Sequence, residues 1–209
     1  MIQSKEDYLF FLEADRLGRG RWYWNRNWHW YYGFTNETWA FQRLLRKVEY
    51  HKNCRRSVLG GCSNKLLSYR FMHLSTRLGF TIPPNVFGPG LCLLHRGTIV
   101  VSDLARVGEN CAVRQCVTIG VGSRDEGMKA PQIGINVFIG PGAVLIGDIR
   151  IADGIAIGAN SVVNRSFLEE GTTIAGVPAR KVSNKGSEDL FDRGTELARD
   201  RAKAMHSNT

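Results

Sequence analysis

Five histidines and five cysteines are the side chains of this 209-residue chain best suited to chemistry near neutral pH. Only one of them stands where a pattern makes it conspicuous. His95 lies six residues before Val101, the first of a long series of aliphatic residues spaced by six, and at that spacing another aliphatic residue would be expected. An imidazole, with an ordinary pKa of about 6.5, can take the proton of a hydroxyl as it attacks and return it to a leaving group. Such a general base contributes roughly 10²–10⁴-fold to a rate. The competing reading is a hydrogen-bonded structural histidine at a turn. His29, His51, His73 and His206 fall outside the series and carry no such signal. The cysteines, Cys54, Cys62, Cys92, Cys111 and Cys116, are odd in number and lack C-x-x-C spacing, as expected of reduced, mostly buried thiols in a cytoplasmic protein. No cluster of His, Asp or Glu has the spacing of metal ligands, so no metal is expected.

The elements that must position His95 follow from the series itself. Val101, Val107, Val113 and Ile119, then Ile133, Ile139, Leu145, Ile151, Ile157 and Val163, form ten consecutive aliphatic beats. Four residues after most beats stands a second small or apolar residue, as at Ala105, Cys111, Val117, Val137 and Ala143. Gly often follows the beat directly, as at Gly108, Gly134 and Gly158. A fixed six-residue period predicts a hexapeptide β-helix, in which each hexad is a short strand with a turn and three hexads close one triangular coil. The beat residues point inward, so stacking buries a continuous aliphatic column that no single hexad could bury alone. Between Ile119 and Ile133 the period is broken by the polar stretch VGSRDEGMKAPQ, which predicts a loop thrown out from one corner.

Residues 1–80 lack the beat and read as helical, residues 81–182 as the β-helix, and residues 183–209 as a C-terminal helix and tail. The fold class is therefore α+β. Ser4 with Asp7 caps a first helix that runs to about Leu17 and ends at Gly18 and Gly20. Asn36 caps a second, with Trp39, Leu44, Leu45 and Val48 on one face. A third covers Asn64 to Leu78, with Leu66, Leu67, Tyr69, Phe71, Leu74 and Leu78 as its buried side and Gly79 as its stop. Residues 187–205 read as a charged helix weakened by Gly194.

The net charge of +9 is uneven. Residues 1–80 hold 14 Lys and Arg against 6 Asp and Glu, whereas the rest is nearly balanced. That placement bears on partners rather than on fold. The basic third has no recognised nucleic-acid motif, so nucleic acid is not expected. No run approaches the roughly 18 apolar residues of a membrane span, and the N-terminus does not read as a secretory signal. The aromatic run 22–32, WYWNRNWHWYY, beside Arg21 and Arg26, suits packing between helices or subunits, stacking on sugars, or peripheral contact with the inner membrane.

Three stretches carry a resemblance: His95-Arg-Gly-Thr-Ile-Val-Val-Ser, then Val117-Thr-Ile-Gly120, then Ala175-Gly-Val-Pro-Ala-Arg180. Over about residues 80–182 the chain resembles the hexapeptide acyltransferases, and within them the serine acetyltransferase group and its relatives in polysaccharide pathways. The resemblance implies a left-handed parallel β-helix, an exception to the usual right-handed crossover. It also implies a homotrimer, with pairing of two trimers through the N-terminal helices left open, and transfer of acetyl from acetyl-CoA. His95 would be the general base. Gly120, Pro141, Gly142 and Ala159 would line the groove for acetyl-CoA, with Arg180, Lys181 and Lys185 meeting its phosphates.

The match departs from the serine enzymes around the acceptor. Leu94 stands where the family has an Asp before its histidine, Lys129 replaces an Arg, and Ala130 replaces a second histidine. The carboxylate that orients the histidine falls on Phe80 or Thr81, leaving Asp103, Asp125 or Glu126 as possible substitutes. These departures predict a less charged hydroxyl acceptor, such as a sugar of a surface polysaccharide, with free serine as the alternative. A non-catalytic β-helix scaffold that binds glycan or membrane is the reading from another class.

Overall fold

The computed structural model describes residues 1–20, 36–55, 61–122 and 127–206. Helix α1 spans Lys5–Leu17 and opens with the capping box expected of its sequence. The Asp7 amide donates to Ser4 Oγ at 3.0 Å, and the Ser4 amide donates to Asp7 Oδ2 at 3.1 Å, satisfying two donors that the first turn leaves unpaired. Helix α2 spans Glu37–Cys54 behind the Asn36 cap, whose Oδ1 accepts from the Trp39 amide at 2.9 Å. Helix α3 spans Gly61–Leu78 and stops at Gly79, where φ is +75°.

Fourteen short strands follow. They are β1 (Phe80–Thr81), β2 (Cys92–Leu93), β3 (Ile99–Val101), β4 (Arg106–Val107), β5 (Ala112–Val113), β6 (Thr118–Gly120) and β7 (Gln132–Ile133). The series continues with β8 (Phe138–Ile139), β9 (Val144–Ile146), β10 (Arg150–Ile151), β11 (Ala156–Ile157), β12 (Val162–Val163), β13 (Thr173–Gly176) and β14 (Ala179–Ser183). They form three faces of one β-helix: β1-β3-β6-β9-β12, then β4-β7-β10, then β2-β5-β8-β11-β13-β14. All pairings are parallel except the closing β13–β14 hairpin. The beats stack on one another, Val101 on Ile119 and Leu145, Val107 on Ile133 and Ile151, Val113 on Ile139 and Ile157. None of these inward residues is more than 5% exposed. Register is set by this column, because a one-residue slip would turn every aliphatic side chain to solvent. The loop after β6 leaves the register of the next coil intact.

The helices close the open end of this column. A first coil has no coil before it, so its backbone groups lack ladder partners, and burial without partners is costly. Side chains supply them. Arg46 donates to the Phe87 and Gly88 carbonyls, and Asp15 accepts from the Gly90 and Leu91 amides. Gln42 donates to the Leu91 carbonyl and Arg19 to the Leu93 carbonyl. Arg46 also pairs with Asp15 at 2.8 Å and Glu49 at 2.9 Å, all three fully or almost fully buried. Burial raises the Asp15 carboxyl; burial also opposes the Arg46 charge, but Asp15 and Glu49 outweigh it and raise that guanidinium. Four donors on the Asp15 carboxylate oppose its rise by favouring the charged form. Beside this network Phe41, Leu45, Leu78 and Phe80 continue the core of the coils without a break.

Two helix faces differ from the sequence expectation. On α2 the buried positions are Thr38, Phe41, Gln42, Leu45, Arg46 and Glu49, whereas Trp39, Leu44 and Val48 are half-buried. The demand for polar partners at the coil end rotates the helix away from its purely apolar stripe. On α3, Leu66 and Tyr69 are more than 60% exposed, while Leu67 and Leu78 are buried and Phe71 and Leu74 pack against the core, as the sequence predicts. The C-terminal helix α4 spans Gly194–His206, beginning seven residues later than expected. Residues before it are taken up by tertiary contacts: the Ser187 amide donates to the Gly154 carbonyl, and Phe191 lies over Phe138. Gly194 marks the start because it presses on α1; a Cβ there would lie 1.9 Å from the Ala14 carbonyl oxygen.

Candidate active site

His95 does not occupy an inward beat. The inward residue of that strand is Leu93, which pairs with Val113, and the next inward beat is Val101. The step from Leu93 to Val101 is eight residues, against six at the three corners stacked beneath it (Val113 to Ile119, Ile139 to Leu145, Ile157 to Val163). The two extra residues widen the corner and push the segment 94–98 outward. His95 is exposed there and makes no hydrogen bond, ion pair or ring contact with any described residue. A histidine inside the column would need a buried partner; one displaced onto the corner is free to meet a ligand.

The edge below His95 is tightly built. The Gly142 amide donates to the Gln115 carbonyl at 3.0 Å and the Asn160 amide to the Pro141 carbonyl at 2.9 Å. Each turn needs one residue with positive φ: Gly97 (129°), Cys116 (62°), Gly142 (73°) and Asn160 (54°). A Cβ on Gly97 would sit 3.0 Å from the Gln115 Cβ, so the widened corner rests directly on the coil below. Pro141, Gly142 and Ala159 therefore share an edge with His95. Pro141 and Gly142 are half-buried and Ala159 exposed.

Gly120 lies elsewhere, at the far end of β6, with the loop-bearing corner beyond it. Its φ is ordinary, and a Cβ would meet nothing nearer than Ile146 Cγ2 at 3.7 Å. The coil does not require glycine there. Lys129 is on the same far edge, exposed and paired with Asp148 at 2.6 Å. Ala130 is 3% exposed and belongs to the core. The sequence places it at the acceptor, whereas its methyl group packs in the aliphatic core.

Leu94 is half-buried and lines a pocket of about 520 Å³ with Cys92, Arg114, Arg19 and residues 188–192. Arg180 and Lys181 are exposed on β14, where Lys181 pairs with Glu169, and Lys185 is exposed just beyond. Among the candidates to orient His95, Asp103 lies past β3 at the opposite end of that strand, and Phe80, at a position where the resemblance implies a carboxylate, is buried. Asp125, Glu126 and the aromatic run 22–32 lie outside the described residues. Burial pushes the Cys92 and Cys111 thiols up, against the pull of Arg114 and Arg19 on Cys92, and both lie inside the coils at 1% exposure. No group of three or more His, Cys, Asp or Glu that could hold a metal ion occurs among the described residues.

One feature of this corner was invisible in the sequence. Glu37, the first residue of α2, forms ion pairs with Arg96 at 3.0 Å and with Arg77 near the end of α3. The contact spans 59 positions of chain and has no periodic signature.

Residues 130–165 match the family model described as bacterial transferase hexapeptide (six repeats). The match falls within the β-helix, from β7 to β12. Curated relatives of this chain include the serine acetyltransferase of Synechococcus elongatus, 35% identical over 116 residues, which cover 54% of this chain and 47% of that protein. The serine acetyltransferase of Salmonella typhimurium is 39% identical over 106 residues, 51% of this chain and 38% of that protein. The chain thus spans about half the length, or less, of the curated relatives it matches. The likeness in structure reaches further. The crystal structure of Neisseria gonorrhoeae serine acetyltransferase superposes with a TM-score of 0.66 at 26% identity, covering 87% of this chain and 70% of that one. The same enzyme in complex with serine gives 0.66 at 27%, covering 86% and 71%. The helices are therefore part of the shared fold. These relatives carry the acceptor that the sequence placed second, serine, rather than the glycan it placed first.

Proposed function

We propose that this chain transfers an acetyl group from acetyl-CoA to a hydroxyl of a small acceptor, with His95 as general base. The observation that carries the reading is the displacement of His95 from the aliphatic column onto a widened, exposed corner above Pro141, Gly142 and Ala159. His95 takes the hydroxyl proton as the oxygen attacks the thioester carbonyl. The C–S bond breaks, and the same imidazole returns the proton to the departing sulfur. Arg180, Lys181 and Lys185 supply fixed cations for the phosphates of the cosubstrate.

The working form is a homotrimer. Within one chain His95 and the loop-bearing corner with Gly120 and Lys129 stand at opposite edges of the same face, β1-β3-β6-β9-β12. The outward row of that face is Val100, Thr118, Val144 and Val162, with Val100 39% exposed. Three copies that turn this mostly apolar face to a common axis would bring one edge of each chain against the other edge of its neighbour. No described helix is long and apolar enough to cross a membrane.

Of the two acceptors, L-serine is favoured by the names of the relatives. A glycan hydroxyl remains the second reading because Leu94 and the inward Ala130 offer no charge to a zwitterion. His95→Ala is expected to lower thiol release from acetyl-CoA by about 10²–10⁴-fold, with an unchanged melting temperature. Full turnover in that variant would refute the assignment. The same assay run with L-serine beside nucleotide sugars decides the acceptor.

A further inference from the structure

Resting on that reading, we infer that Glu37 is a positioning residue for His95, and that the N-terminal helices serve as the clamp of the catalytic corner. The imidazole has no side-chain partner among the described residues, so its place is set by the backbone that carries it. That backbone is held at three points. The Leu93 carbonyl, just before the corner, accepts from Arg19 Nη1 at 2.7 Å. Gly97, just after His95, rests on Gln115 of the coil below. Between them Arg96, adjacent to His95, forms an ion pair with Glu37, its Nε 3.0 Å from Oε2.

Glu37 is suited to the task. Its side chain is only 16% exposed, whereas the two arginines it binds are more than 60% exposed. Its backbone is fixed at the first turn of α2 by the Asn36 cap, and that cap also accepts from Arg19 Nη2 at 3.1 Å. Arg77, on the last turn of α3, holds the other carboxylate oxygen. One carboxylate thus ties two helices to the segment that presents the base. The corner needs the tie because it is two residues longer than its neighbours, and the extra length lacks a coil above to pair with. A misplacement of about 1 Å at a reacting group can cost on the order of 100-fold in rate.

The experiment uses the full chain and compares Glu37→Gln, Glu37→Ala, Arg96→Ala and the double variant with wild type and His95→Ala. We expect kcat to fall about tenfold in Glu37→Ala, and less in Glu37→Gln, which keeps one acceptor oxygen. KM for acetyl-CoA and the melting temperature should stay near wild type, because exposed ion pairs add little stability. The double variant should be no slower than the worse single, as residues acting through one contact are not additive. Arg77→Ala, which loosens the helix but not the corner, should cost less than Arg96→Ala. If His95→Ala is inactive while Glu37→Ala keeps kcat within twofold of wild type, the positioning role is wrong and the reading of His95 stands. A fall in kcat matched by a fall in melting temperature would reduce Glu37 to a structural role. If His95→Ala itself keeps full turnover, the reading of the corner fails first.

Discussion

The coils and the cap that closes them are held together by opposite kinds of interaction. In the coils, each beat residue meets a similar aliphatic residue above and below, and backbone pairs with backbone. In the cap, Asp15, Arg19, Gln42, Arg46 and Glu49 are buried in one polar network whose partners are the unpaired groups of the first coil. Stability in the repeat is distributed and roughly a sum of neighbouring contacts. At the cap it is concentrated in a few charged groups, each of which leaves others stranded if it is lost. The difference shows that a repeat can extend itself without instruction, but its end requires a specific set of side chains.

Three substitutions sharpen or break this contrast. Arg46→Ala should be the most damaging, about 3–5 kcal/mol, because it strands two buried carboxylates and two carbonyls. Urea denaturation should show the loss, and limited proteolysis should cut the helices before the coils. A cost below that of a coil substitution would end the contrast. Leu145→Ala, at 0% exposure in the middle of the column, should cost about 2–5 kcal/mol and leave the cap protected from protease. Early cleavage in the helices of that variant would mean that the two regions unfold as one. Gly120→Ala should change stability by less than about 0.5 kcal/mol, since its Cβ meets only an ordinary contact. Its effect should appear instead as a several-fold rise in KM for acetyl-CoA. A drop in melting temperature with an unaltered KM would make Gly120 a structural residue.

Most of the coil was legible because its determinants are local and repeated. The ten beats from Val101 to Val163, the loop between Ile119 and Ile133, and the Ser4 and Asn36 caps all lie where the residues predicted them. The His95 corner was legible as a candidate but not in its geometry. Counting back by six from Val101 lands on His95, and nothing in the spacing reveals that two residues were inserted and that Leu93 takes the inward place. The same limit hid the orientation of Ala130, which is buried although the loop before it is polar. It also hid the buried face of α2, where Gln42, Arg46 and Glu49 displace Trp39 and Val48.

By itself, then, the sequence determined the period, the direction in which each beat points, and the starts of the first two helices. Each of these depends on residues within a few positions of one another. Only the tertiary structure decided which charged side chains are buried, how far the His95 corner is displaced, and which distant carboxylate pairs with Arg96 beside it. Those outcomes depend on where unpaired backbone groups of the first coil come to rest, and that position exists only once helices and coils have packed together.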